Sequence, residues 1–210
     1  MLSYSVWVDI VNSIIKNVLT ALYQPFWAAM LMAFSSMFVY LYAKEHQWKI
    51  NDFFENVIKV WWKEFRSSPS FRRIFLLVFY TTMILFRTLL NRQVWFDPLE
   101  KIMGGWSLYA EDGTLTTEAI ENFMLFVPFT MLFLWSLRRK LFSNHLQLRN
   151  VLWVSFKVVG IFSLSIECLQ VLLYVGTFQL SDLFYNTLGG ILAGVLYFVL
   201  YKIKCRELLR

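Results

Sequence analysis

The chain has 210 residues, 58% of them hydrophobic and 19% aromatic, with a formal net charge of +6 and a mean hydropathy of +0.53. That apolar share exceeds what a water-soluble domain carries, so the chain reads as a membrane protein and its basic residues report on membrane topology before they report on nucleic acid. No HExxH, CxxC, GxSxG or phosphate-loop pattern occurs, His46 and His145 lack neighbouring ligand spacing, and Cys168 and Cys205 fall on opposite sides, which leaves no expected metal, disulfide, redox centre or cofactor.

The first twenty-odd residues lack the basic start of a secretory signal, so they are expected to remain in the mature protein. Trp7, Ile10, Val11, Ile14, Ile15, Val18, Leu19 and Leu22 follow the rhythm of one helical face, while Ser5, Asp9, Asn12, Ser13, Lys16 and Thr20 take the other. This pattern predicts an interfacial helix. The alternative is a sixth span, turned tightly into the next at Gln24-Pro25. A bilayer core about 30 Å thick requires roughly 20 mainly apolar residues per helix. Five stretches qualify: about 25–43, 73–91, 121–138, 151–175 and 183–202. Between the first two, Phe53, Phe54, Val57, Ile58, Trp61, Trp62 and Phe65 line one face of a further amphipathic helix. It is expected on the inner leaflet, or as a buttress to the bundle, and it ends at Ser67-Ser68-Pro69-Ser70. The spans are too long and too uniformly apolar for barrel strands, so the fold class is all-α: a polytopic helical membrane bundle of about five transmembrane helices with two amphipathic additions. The expected organisation is residues 1–72 as an N-terminal unit, 73–202 as the transmembrane core and 203–210 as a tail.

Basic residues alternate sharply between loops. Lys44, Lys49, Lys59, Lys63, Arg66, Arg72 and Arg73 precede the second span; Arg138, Arg139, Lys140 and Arg149 lie between the third and fourth; Lys202, Lys204, Arg206 and Arg210 follow the last. The intervening segments hold only Lys16, Arg92 and Lys101. This bias predicts the N-terminus outside and the C-terminus in the cytosol. Arg87 and Lys157 are then the basic residues inside spans, with Lys157 able to extend toward the inner surface. The outer loop from Arg92 to Ile120 is acidic, has turn signals at Gly104-Gly105 and Asp112-Gly113, and offers Thr116-Thr117-Glu118 as the start of the third span.

Polar residues gather at one level. Glu167 lies seven residues, about 10 Å, below the outer end of its span, where an ionised acid costs roughly 2.5–3.5 kcal/mol on insertion scales. It must face the bundle interior, on one stripe with Ser163 and Gln170. Asp182 and Asn186 sit one turn apart on the last span, above Gly189, Gly190 and Gly194, a small face suited to close helix approach. Ser181 or Asp182 is also a candidate helix cap. Arg87 is the expected counterion of Glu167, and Asn122 with Pro128 marks a third span that a proline can open. The set Arg87, Asn122, Glu167, Gln170, Asp182 and Asn186 reads either as a lock on helix register or as a site for a polar headgroup or glycan. Glu167 and Asp182 are its candidate catalytic acids.

Two blocks of these residues resemble the VanZ-like family of small bacterial membrane proteins. One is ENFMLFVPF at 121–129; the other is Glu167 and Gln170 followed by Asp182, Asn186, Thr187, Gly189 and Gly190, which match an E-x-x-Q then D-x-x-x-N-T-x-G-G pattern. Thr177 and Gln179 depart from it, standing where relatives carry charged residues. The resemblance implies a cell-envelope membrane protein; the outward position of Arg87, Asn122, Glu167, Gln170, Asp182 and Asn186 adds the expectation that it binds a lipid-linked or lipophilic glycan at an outer-leaflet site. The resemblance also implies lowered susceptibility to teicoplanin-type lipoglycopeptides, since the family takes its name from a member associated with resistance to teicoplanin. The expected partner is membrane lipid, with such a glycan or lipoglycopeptide as ligand and no nucleic acid. An intramembrane enzyme acting on an envelope lipid, or a structural or transport partner of another envelope protein, are the alternatives.

Overall fold

The computed structural model describes residues 4–44, 53–90, 94–107, 116–142 and 146–207. Their regular structure is entirely helical: α1 (Tyr4–Tyr23), α2 (Phe26–Lys44), α3 (Phe53–Ser67), α4 (Pro69–Leu85) running directly into a π turn (Phe86–Leu90), α5 (Glu118–Leu141), α6 (Leu148–Leu173) and α7 (Leu180–Glu207). Among the described residues four helices are long and apolar enough to cross a membrane: α4 with its π turn, α5, α6 and the Leu180–Cys205 part of α7. The shorter apolar stretch Phe26–Leu41 of α2 accompanies them, which accords with about five spans. Their outward side chains, among them Trp27, Ile161 and Leu172, are apolar and exposed, as a lipid-facing surface requires. His46, His145, Lys49, Arg92 and Asp112-Gly113 lie outside the described residues.

The α7 helix is the axis of the bundle, packed along both α5 and α6. Its small face makes those approaches possible. A side chain on Gly190 would meet Val159 Cγ2 at 2.5 Å, and one on Gly194 would meet Ser155 Oγ at 2.6 Å, so both glycines face α6. Gly189 faces α5 instead, directly against the Phe123 carbonyl. The expected small-residue stripe is thus used inside the bundle.

A second core joins α2, α3 and α4. Ser68 caps α4, its Oγ accepting from the Phe71 amide at 3.3 Å, and Pro69 occupies the first turn, where its missing N–H costs nothing. The chain therefore reverses sharply between α3 and α4, and α3 folds back onto α2 and α4. Trp61 is buried there, stacked on Phe34 and Phe65 and edge-on to Phe71 and Phe75. Of the two readings of this helix, the buttress describes Trp61, while Ile58 and Trp62 on its outer side remain exposed. Trp61→Ala should lower stability by about 3–5 kcal/mol, seen as a depressed unfolding midpoint of the purified protein and earlier protease cleavage at α3.

Candidate functional site

The π turn, the start of α5, the end of α6 and the start of α7 meet at one end of the bundle. The α6 helix ends on Tyr174 in the left-handed conformation (φ 54°), whose amide bonds back to the Val171 carbonyl while the Val175 amide reaches that of Gln170. A short turn then delivers the chain into α7. The segment 94–107 lies over this turn: the Trp95 amide donates to the Tyr174 carbonyl at 2.7 Å, Phe178 to Pro98 at 2.9 Å and Leu180 to Ile102 at 2.8 Å. Gly104, at φ +69°, rests directly on Ser181 and Gln179. The segment 94–107 therefore covers this end of the bundle.

Beneath that cover the polar side chains are almost completely buried. Glu167 is 2% exposed and Gln170 1%, with Ser163, Ser181, Asp182, Asn186 and Asn122 all buried as well. A Glu167 carboxylate oxygen accepts the Gln179 backbone N–H at 2.8 Å, tying the last turns of α6 to the first residue before α7. Gln170 Nε2 donates to the Thr88 carbonyl in the π turn at 2.9 Å, and Asn186 Nδ2 donates to Ser163 Oγ at 2.8 Å. Gln179 Nε2 donates to Thr177 Oγ1 at 3.0 Å, so the two residues that depart from the family pattern bond to each other inside the turn.

Arg87 is placed differently from expectation. Its partner is Glu121 in the first turn of α5, not Glu167. The π turn aims the Arg87 side chain at α5 while the adjacent Thr88 carbonyl faces α6, and the guanidinium stays partly exposed where Glu167 is sealed. The Glu121 carboxylate also accepts from the Thr117 hydroxyl, and Thr117 Oγ1 accepts from Asn17 Nδ2 of α1 at 2.8 Å. A cluster of Arg87, Glu121, Thr117 and Asn17 thus stands beside the buried level, linked to it through Thr88 and Gln170. Glu121→Leu should destabilise by about 1–3 kcal/mol, since both partners keep some contact with solvent. Arg87→Met combined with Glu121→Leu should cost less than the sum of the two single changes, measurable by a double-mutant cycle on unfolding midpoints.

Asp182 is not the N-cap residue of α7. The α7 helix begins at Leu180, so Asp182 lies within its first turn, and the Gln179 bond to Glu167 sets that start. Nor does Pro128 break α5; the helix runs through it, and Tyr80 Oη donates to the Leu125 carbonyl one residue beyond the carbonyl the proline leaves without a helical donor. Thr88 contributes a contact that the sequence did not single out, while Glu121 and Gln179, both noted in the sequence, make contacts that were not expected of them. Among the described residues no group of three or more His, Cys, Asp or Glu side chains forms a metal-ligand cluster.

The buried level retains unused hydrogen-bonding capacity. Asn122 Nδ2, Gln170 Oε1, Ser181 Oγ and Asn186 Oδ1 are all inaccessible and have no protein partner. Each such atom costs about 1–3 kcal/mol if nothing satisfies it.

A family model, VanZ/LLP1, matches residues 20–201. The chain belongs to the VanZ/LLP1 family. The match takes in α2 to α6 and α7 as far as Tyr201, and the polar level lies wholly inside it. No curated protein and no solved structure matches the chain. With its four long apolar helices, this VanZ/LLP1 chain is a multi-pass membrane protein.

Proposed function

We propose that the level formed by Asn122, Glu167, Gln170, Asp182 and Asn186, flanked by Arg87, recognises the polar part of a lipid-linked or lipophilic glycan. In this reading it does so at the outer leaflet of the bacterial cell membrane and thereby lowers susceptibility to teicoplanin-type lipoglycopeptides. The chain's alternating basic loops support the orientation, with the N-terminus outside and the C-terminus cytosolic. One observation carries the reading: the free capacity of Asn122, Gln170, Ser181 and Asn186. A lock on helix register is stabilising only when every member is paired. Here both a donor, Asn122 Nδ2, and acceptors, Gln170 Oε1 and Asn186 Oδ1, are left over. Sugar hydroxyls can meet both, because each donates once and accepts twice. Arg87 would take an anionic group at the rim.

The test is teicoplanin susceptibility of cells expressing the protein, with membrane abundance and unfolding midpoint measured in parallel. Asn122→Leu removes an unpaired donor and should leave folding intact or improved while protection falls toward the level of cells lacking the protein. Protection that survives in a well-folded Asn122→Leu protein rules this residue out of the site.

A further inference from the structure

The opposite, basic end of the bundle carries a second feature of a different kind. Gln147, Leu148, Arg149, Asn150, Trp153 and Phe156 of the α6 entry, with Ile191 of α7, line an open groove of about 900 Å³. Arg149, Trp153 and Lys157 follow one another at intervals of four residues and so share one face of α6. Trp153 and Phe156 are stacked in parallel, 7° apart with centroids at 5.6 Å, and both stay exposed. Lys157 bends back toward the basic end, its Nζ 5.0 Å from the Trp153 ring. Neither Arg149 nor Lys157 forms a salt bridge with any described residue.

Depth and polarity are graded together. From Gln147 to Phe156 the helix rises about 14 Å, close to half of a hydrocarbon core of about 30 Å. The mouth offers Gln147, Arg149 and Asn150, and the deeper wall is Leu152, Phe156 and Ile191. A phosphodiester headgroup carries one negative charge, and Arg149 and Lys157 supply two positive ones on this face, about one turn to either side of Trp153. The upper part of an acyl chain below it meets an apolar wall, Leu152, Phe156 and Ile191.

We propose that this groove is a binding site for an anionic glycerophospholipid of the inner leaflet, its phosphate held by Arg149 and Lys157 and its chain laid against Trp153, Phe156 and Ile191. The site is separate from the polar level at the other end and does not depend on it.

Native mass spectrometry of the full-length protein in mild detergent, with equal amounts of phosphatidylglycerol and phosphatidylcholine, reads this directly. The first lipid retained should be phosphatidylglycerol. A surface charge is worth about fivefold in affinity for anionic lipid, so Arg149→Gln with Lys157→Gln should weaken phosphatidylglycerol roughly thirtyfold and leave phosphatidylcholine unchanged. Trp153→Ala should weaken both lipids. Arg139→Gln with Lys140→Gln removes two charges at the same end outside the groove and should change neither. The proposal is overturned if wild-type protein binds the two lipids equally. It is also overturned if the Arg139/Lys140 variant loses as much as the Arg149/Lys157 variant. A third contrary result is a double-mass species that Trp153→Ala abolishes with lipid binding intact, which would assign the groove to a second copy of the chain.

Discussion

Gly189→Val should leave little or no assembled bundle. The obstacle is the Phe123 carbonyl of α5, which is backbone and cannot rotate away, so any side chain at 189 must push α5 and α7 apart. Overpacking a well-filled interior costs about 1–3 kcal/mol when side chains can adjust. Here the helices themselves must move, and the separation would also break the neighbouring α6 contacts of Gly190 and Gly194. Size-exclusion profiles of purified protein should show aggregate in place of a single species, and Gly189→Ala should be strongly destabilised but recoverable. Gly190→Ala provides the contrast. Its obstacle is the Val159 side chain, so adding Val159→Ala should restore most of the lost stability. A Gly189→Val protein with wild-type behaviour would contradict the α5–α7 packing.

Glu167→Ala should remove both stability and function. It leaves the Gln179 N–H buried with no acceptor from α6, and hydrogen bonds to charged groups contribute about 1.5–3 kcal/mol. That bond also sets the start of α7, so its loss displaces Asp182 and Asn186 together. Glu167→Gln keeps an acceptor for the same N–H and should retain most of the fold. If the carboxylate itself contacts the ligand, Glu167→Gln cells become teicoplanin-susceptible despite normal protein levels. Full protection in Glu167→Gln, with loss in Glu167→Ala, would assign Glu167 to positioning α7 alone.

The helical architecture was legible because lipid imposes one requirement on every span: about 20 apolar residues with all backbone groups bonded internally. The glycine face of α7 was equally plain, as small residues at one helical spacing have few other uses in a span. Glu167, Gln170 and Asn186 stood out for the opposite reason, being costly in hydrocarbon, and all three are buried toward neighbouring helices. What the sequence concealed was pairing. Arg87 had two acids at its level, and the choice of Glu121 depends on the π turn, which rotates Phe86–Leu90 away from ordinary α register. Nothing in FRTLL announces such a turn. One contact of Glu167 was hidden because it is a backbone amide across a turn, and backbone donors carry no residue signature. The α7 helix also starts earlier than the expected cap at Ser181 or Asp182, because the covering segment holds its first residues, Ile102 accepting from the Leu180 amide and Gly104 resting on Ser181.

The most direct measurement is an experimental structure of the protein in nanodiscs made from bacterial envelope lipids. Density for a bound polar group is expected within hydrogen-bonding distance of Asn122 Nδ2, Gln170 Oε1 or Asn186 Oδ1. The same density should be lost from Asn122→Leu protein whose fold is otherwise unchanged. A closed level in which these atoms bond only to one another and to neighbouring protein groups, with no foreign density in the presence of the full lipid extract, would contradict the assignment of this level as a recognition site.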